Sequence, residues 1–191
     1  MEAISRLLEI VPPPAEPPSP QDWQAAEAQL GSPLPDDYKD FIGTYGPGSF
    51  WGELNIAPPL WIANERGKSP GAVNFLHDIS EERPDYVDVA GNGAGSFDEI
   101  YGDRDDSYLW LGFSGTGQNL FWRTTAPDPN SWPVVVTDNA SIDYEAGGIV
   151  AYLVELLSGR FPSAAFDAEW LDEVQGEGRS PFTRVEYNPE S

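Results

Sequence analysis

The first 46 residues of the chain place their hydrophobic positions at the spacing of α-helices. Ile4, Leu7 and Leu8 share one face of a short helix predicted from Met1 to Ile10. The run PPPAEPPSP follows over Pro12–Pro20, and consecutive prolines cannot continue a helix. We therefore predict an N-terminal segment, residues 1–20, made of a short helix and an extended linker.

Two further helices are predicted after the prolines. Ser19 is expected to cap the first, which ends at Gly31. The second begins near Pro35 and ends at Gly46. Its apolar residues recur at the spacing of one helix face, namely Tyr38, Phe41, Ile42 and Tyr45. The connection between these helices is very short, so they are expected to pack against each other.

From Gly48 onwards the pattern favours strands. SFWGELNIAPP predicts one strand ended by prolines, and SYLWLGF, NLFWRTT and WPVVVTD predict three more. Weaker patterns suggest a helix over Pro70–Ile79 and strands at YVDVA and SFDEIYG. The strands are too closely spaced for parallel crossovers, so they predict an antiparallel meander.

A last apolar helix is predicted over Gly147–Gly159, where it would cover the sheet. Residues from about Gly176 onwards are polar and are expected to form a frayed tail. The fold class predicted is α+β, with N-terminal helices, a central antiparallel sheet and a C-terminal helix packed on it. The domain is predicted to span residues 21–175, with residues 176–191 as the tail.

The glycine-bearing centre SGTGQN, Ser114–Asn119, separates the two most aromatic strands. A nucleophile turn needs a second glycine where Thr116 stands, and a strand follows where a helix is required. The other glycine cluster, GNGAGSF, carries Ser96 at the third position of a dinucleotide fingerprint. We therefore expect SGTGQN to be a six-residue hairpin connection and expect no nucleotide cofactor.

Charge narrows the classes of partner. The chain has 32 acidic and 10 basic residues, a formal net charge of −22, and 40% hydrophobic residues, enough for a core. Such a surface repels nucleic acid and anionic membranes and attracts basic proteins. With no cysteine and a single histidine, His77, most catalytic and metal chemistry lacks its side chains. We therefore expect no cofactor and no metal. A cytoplasmic protein is expected, because neither a signal peptide nor a membrane span is evident.

The densest acidic run extends from Asp78 to Asp106, with ten acidic residues against Arg83 and Arg104. Two interpretations stay open for it: a solvated face, or a docking surface for a cationic protein. The candidate partner-binding residues are Asp98, Glu99, Asp103, Asp105 and Asp106. A weak surface Ca²⁺ site and a hydrolase that uses paired carboxylates also stay open, although neither spacing is specific.

Two stretches of the chain carry motifs whose order and spacing are informative together. The first is LGSPLPDDYKDFIGTYGPGSF, and the second is WLGFSGTGQNLFWRTTAPDPNSWPVVV. Together they resemble the SMI1/KNR4 family, also called the SUKH superfamily. The matching positions of the first are Leu34, Pro35, Tyr38, Phe41, Tyr45 and Gly46. Those of the second are Gly112, Gly117, Asn119, Phe121, Trp122, Asp128, Pro129, Trp132 and Pro133. The resemblance spans about Asp22 to Phe166, and the turn GTGQN departs from the family's usual acidic-glycine form.

The resemblance implies an α+β fold without catalysis. Many bacterial members are immunity proteins that bind and neutralise polymorphic toxins, often nucleases, whereas a fungal branch is linked to cell-wall synthesis and signalling scaffolds. The resemblance thus predicts a cognate protein toxin as partner, with a scaffold or regulatory module as the alternative. Independently, Trp51, Trp110, Trp122 and Trp132 are expected to lie in the core, because large aromatic side chains supply most core area.

Overall fold

A computed structural model of the chain describes residues 2–65, 108–124, 126–137, 142–161, 165–176 and 178–185. Its helices are α1 (Glu2–Ile10), α2 (Trp23–Leu30), α3 (Asp36–Tyr45), α4 (Pro59–Glu65), α5 (Ile149–Leu157) and α6 (Ala168–Gly176). Its strands are β1 (Gly48–Phe50), β2 (Leu54–Ile56), β3 (Tyr108–Ser114), β4 (Asn119–Arg123), β5 (Val134–Thr137), β6 (Ile142–Ala146) and β7 (Phe182–Arg184). A short 3₁₀ helix spans Pro129–Ser131.

The strands form one antiparallel sheet in the order β6-β5-β4-β3-β2-β1-β7. Strands β1 to β6 follow the chain as a meander, and β7 then returns to pair with β1. A bulge between Trp110 and Gly112 shifts the register of β3 on β4. The α+β class and the antiparallel sheet predicted from the sequence are confirmed.

One face of this sheet, which we call the helix-covered face, is mostly apolar, and the register adds two polar side chains to it, Ser114 of β3 and Arg184 of β7. Strand register places Phe50, Leu54, Leu120 and Trp122 on it, and none of these side chains is exposed. Helix α3 packs on it through aromatic rings, with Phe41 and Tyr45 both contacting Phe50. The helical spacing read from the sequence therefore matches the buried side of α3.

The opposite face mixes polar and aromatic side chains. Register places Ser49, Asn55 and Asn119 there beside Phe113 and Phe121. The Asn119 side chain is buried and accepts a hydrogen bond from Trp110 Nε1 at 3.2 Å, and Trp61 of α4 packs edge-on against Trp110. Both faces of β4 are thus buried, which explains its continuous apolar run.

The N-terminal segment joins the core. Helix α1 packs against α5, and Leu7 and Val11 are fully buried. The Tyr45 hydroxyl donates to the carbonyl of Val11 at 2.5 Å, which fixes the start of the proline run to the end of α3. Burial raises the pKa of that tyrosine to about 12, so it stays a neutral donor over the physiological range.

Two local expectations are wrong. Helix α2 is capped by Asp22, whose Oδ1 accepts from the amide of Ala25 at 2.9 Å, and not by Ser19. Ser19 lies in the extended proline run, three residues too early. The stretch SFWGELNIAPP is a hairpin and not one strand, because Trp51 and Gly52 turn the chain with φ of 49° and 78°.

The C-terminal end differs from the expected frayed tail. Residues 178–185 approach the sheet, and β7 pairs with β1 with Phe182 buried against Phe50. This expectation is therefore wrong for Phe182–Arg184. Strand β6 and helices α4 and α6 were not predicted at all.

Several predicted features lie outside the described residues: the helix at Pro70–Ile79, the strands at YVDVA and SFDEIYG, the cluster GNGAGSF, and His77. In the described ranges, no helix is long and apolar enough to cross a membrane.

Candidate partner-binding site

The two stretches that carry the resemblance meet at the N-terminus of α3. Asn130 Oδ1 accepts from the amide of Asp36 at 2.8 Å, and Asn130 Nδ2 donates to the Asp36 carboxylate at 3.1 Å. Asp128 in turn caps the 3₁₀ helix by accepting from the Asn130 amide at 3.0 Å. The first amides of a helix have no acceptor within the helix itself. Through Asn130, the segment before β5 supplies an acceptor to the first turn of α3.

The N-terminus of α5 also lies beside the N-terminus of α3. Asp37 accepts from the amide of Val150 at 3.2 Å, in the first turn of α5. Gly148 comes so close to this carboxylate that a Cβ at that position would overlap it. Desolvation raises the pKa of Asp37 although the amides of Val150, Tyr38 and Ile149 favour its charged form. We call Asp36, Asp37, Asn130 and Gly148 the signature cluster.

Tyr38 and Trp122 link the signature cluster to the sheet. The Tyr38 hydroxyl donates to the carbonyl of Ala57 at 2.6 Å, and its ring lies edge-on to Trp122 with centroids 5.1 Å apart. Neither side chain is exposed. These two residues therefore fix α3 against the end of β2 and against β4.

The remaining signature residues also shape the backbone. Trp132 Nε1 donates to the carbonyl of Ala126 at 2.7 Å, and the carbonyl of Pro133 accepts from the amide of Arg123 at 3.0 Å. Gly46 and Gly117 have φ of 79° and 98°, which favours glycine. Leu34 and Pro35 are buried at the start of α3.

The stretch between β3 and β4 is a hairpin turn, as predicted, but its connection has four residues, 115–118, and not six, because Ser114 and Asn119 belong to the strands. Ser114 closes β3 and hydrogen-bonds Gln118, whose Nε2 donates to the carbonyl of Ala165 at 3.2 Å. The hydroxyl of Ser114 is thus held within the turn. The four tryptophans Trp51, Trp110, Trp122 and Trp132 are all buried, which confirms their expected place in the core.

The candidate partner-binding residues Asp98, Glu99, Asp103, Asp105 and Asp106 lie outside the described residues. In the part that is described, two carboxylates form ion pairs, Glu27 with Lys39 at 2.6 Å and Glu53 with Arg179 at 2.5 Å. Many others are exposed and form no ion pair there: Glu2, Glu9, Glu16, Asp22, Asp36, Asp40, Asp128, Asp167, Glu169, Asp172 and Glu173. Much of the described surface therefore keeps its negative charge unneutralised.

A groove of about 1030 Å³ lies between the proline run and the end of the sheet. Residues 14–22, which we call the proline wall, form one side, and Pro47, Phe182 and Arg184 contribute to the other. Arg184 Nε donates to the carbonyl of Tyr45 at 2.6 Å. A Cβ on Gly46 would lie 3.1 Å from Arg184 Nε and 3.2 Å from Pro18 Cβ, so glycine lets the two sides meet. The sequence does not predict this groove, because β7, which forms part of one side, has only three residues and is too short for a recognisable strand pattern.

No three potential metal-ligating side chains come together within the described ranges. No curated protein and no solved structure matches the chain significantly. The model of the SMI1 / KNR4 family (SUKH-1) matches residues 17–155, which include both signature stretches and nearly three quarters of the sequence. The α+β fold and the match over most of the chain establish that this protein belongs to the SMI1/KNR4 (SUKH-1) family.

Proposed function

We propose that this protein is a non-catalytic immunity protein that binds and neutralises a basic toxin domain in the cytoplasm. The observation that carries the proposal is the family match over residues 17–155. Toxin neutralisation is the role that the resemblance implies for many bacterial members. The net charge of −22 gives that role a physical basis, because a basic partner is attracted over long distances.

The described surface supports a charge-driven encounter. Its exposed carboxylates are available to a cationic partner, since they form no ion pairs in the described part of the chain. Nuclease toxins carry basic surfaces that bind phosphates, so an acidic inhibitor can cover the surface the toxin needs. We place the first contact on the acidic run, at Asp98, Glu99, Asp103, Asp105 and Asp106.

The test is a triple charge reversal, Asp103→Lys, Asp105→Lys and Asp106→Lys. The matched control is Glu169→Lys, Asp172→Lys and Glu173→Lys on the exposed side of α6, which changes the net charge equally. The proposal predicts that a basic toxin domain is encoded beside this gene. Binding to that domain is measured by calorimetry, together with rescue of cells that express it. We expect the first variant to lose about tenfold or more in affinity at low salt, and the control to lose much less.

Two outcomes would contradict the proposal at different levels. Unchanged affinity of the first variant at low salt would remove the acidic run from the interface. Absence of binding and of rescue by the unmodified protein would overturn the immunity function and favour a scaffold role.

A further inference from the structure

We propose that the groove between the proline wall and β7 binds an extended, basic segment of a partner protein, which adds to the sheet as a strand beside β7. The basic character of this partner rests on the proposed function above, whereas the groove itself rests on contacts within the described residues. Addition of a strand to a sheet edge is a common mode of peptide recognition.

Among the described residues, no strand pairs with β7 on the side away from β1. The amide of Val185 donates to the carbonyl of Pro47, and the amide of Trp51 donates to the carbonyl of Pro181. Residues 181 and 185 thus turn their backbone groups towards β1, so the alternation of a strand turns those of Phe182 and Arg184 outwards. By this alternation the amide and carbonyl of Arg184 face away from β1 and can pair with an incoming strand, whereas the carbonyl of Phe182 already accepts from Ser180 Oγ at 2.9 Å.

The groove also contains a buried donor without an acceptor. Arg184 Nη2 is shielded from solvent and makes no hydrogen bond to any described residue, although Nε of the same side chain is bonded to the Tyr45 carbonyl. An unsatisfied buried donor costs about 1–3 kcal/mol, more when it is charged. A peptide carbonyl that enters the groove supplies an acceptor, which a basic side chain cannot do.

Charge and apolar surface specify the side chains of the guest. Glu16 and Asp22 of the proline wall are exposed and form no ion pair within the described ranges, so each can pair with a lysine or an arginine. Val185 lines the groove and is 47% exposed, which offers an apolar contact to alternate residues. A segment that alternates basic and apolar residues fits this arrangement.

The same charges disfavour two other occupants. A second copy of the chain carries a net charge of −22, and the residues that follow Val185 in the sequence, EYNPES, include Glu186 and Glu190 but no basic residue. Either would bring like charges against Glu16 and Asp22. The partner's basic segment is therefore the occupant to which the inference commits.

Three capped hexapeptides test the groove on the full chain: Lys-Val-Lys-Val-Lys-Val, Glu-Val-Glu-Val-Glu-Val, and the first peptide with every backbone amide N-methylated. The third keeps the charge and side chains of the first but has no amide hydrogen for strand pairing. Affinity is measured by calorimetry at low salt, and the position of binding by amide chemical shifts. We expect the first peptide to bind about tenfold more tightly than the other two and to shift the amides of Phe182 and Arg184.

A variant and a matched control sharpen the test. Glu16→Lys places a cation on the proline wall, whereas Glu9→Lys makes the same charge change on the exposed side of α1, outside the groove. We expect Glu16→Lys to weaken binding of the first peptide about fivefold and Glu9→Lys to change it less than twofold. Equal effects of both variants, equal binding of the three peptides, shifts confined to α6, or no binding would each overturn the proposal. So would a dimer in sedimentation that Val185→Lys dissociates, because it would identify a second copy as the occupant.

The failure of this inference differs from the failure of the proposed function. If the toxin domain binds with the same affinity to Glu16→Lys as to the unmodified protein, the groove is not part of its interface, and the immunity function stands. If no toxin domain binds while the lysine–valine peptide binds at β7, the groove stands and the toxin partner does not.

Discussion

The signature cluster and the groove at β7 lie at opposite ends of α3, and they differ in almost every physical respect. In the signature cluster, Asn130, Asp36 and Asp37 use their polar atoms in hydrogen bonds within the protein. In the groove, Glu16 is exposed without an ion pair in the described part of the chain, and Arg184 keeps an unsatisfied donor. The polar side chains of the signature cluster have hydrogen-bond partners within the protein, whereas the groove offers a donor and a carboxylate that a partner can bind.

The difference separates what identifies the family from what selects a partner. The residues by which this chain resembles SMI1/KNR4 proteins position three segments of the backbone and leave few groups free for a ligand. A partner must therefore be selected by other surfaces. Variants in the signature cluster should change stability and leave the intrinsic affinity of the folded protein unchanged, whereas groove variants should do the reverse.

The largest effect is expected for Trp122→Ala. The side chain is fully buried between Tyr38 and the sheet, so its removal leaves a large cavity and should lower the free energy of unfolding by about 3–5 kcal/mol. Urea denaturation measures the change. Trp122→Phe is the control and should cost clearly less, because it keeps an aromatic ring and deletes an Nε1 that has no hydrogen-bond partner. Equal losses for the two variants would contradict the packing role.

Gly148→Ala should come next, at about 2 kcal/mol, because its Cβ would displace the Asp37 carboxylate from the first turn of α5. A double-mutant cycle with Asp37→Ala checks the cause. If the overlap is responsible, Gly148→Ala costs much less when Asp37 is already alanine, with a coupling energy of about 1–2 kcal/mol. Additive losses would show that the glycine serves another purpose.

Asn130→Ala should cost about 1 kcal/mol, since it removes both hydrogen bonds that the side chain makes to Asp36 at an exposed site. The adjacent Ser131→Ala is the control, because Ser131 contributes its backbone amide to the 3₁₀ helix and that bond is retained. Thermal denaturation of the two variants makes the comparison. A Tm for Asn130→Ala equal to that of Ser131→Ala would mean that the bridge adds nothing to stability.

The smallest effect concerns pH. The folded pKa of Asp37 is raised above its unfolded value, so the folded state holds this proton to higher pH than the unfolded chain. Stability conferred by Asp37 is therefore greatest below the unfolded pKa, near 4, and falls as the pH rises towards the folded pKa. The stability of the unmodified protein relative to Asp37→Asn should decline from pH 3.5 to pH 6. A difference that rises over this range would contradict the sign.

The sequence predicts the elements whose pattern is long and regular. Helices α3 and α5 have apolar residues at helical spacing, and β3, β4 and β5 are rich in bulky residues with short connections. It fails where the partner of a segment is distant. Strand β7 has three residues, and what makes it a strand is its pairing with β1, more than 130 positions earlier.

Local sequence patterns also do not predict the turn between β1 and β2 or the groove. The turn that divides β1 from β2 depends on Trp51 with a positive φ, a conformation that no residue preference predicts for tryptophan. The groove forms because the proline wall lies beside β7. The sequence pattern predicts a linker for the first segment and a tail for the second. Two segments that looked unstructured separately form a site together, and only the fold shows that they meet.

Tyr45 holds both terminal segments: its hydroxyl bonds the carbonyl of Val11, and its own carbonyl bonds Arg184. Val11 and Arg184, which are far apart in the sequence, are therefore close in space. A circular permutant in which a flexible linker joins the ends should keep the architecture, with new termini opened at an exposed turn such as Gly115–Gly117.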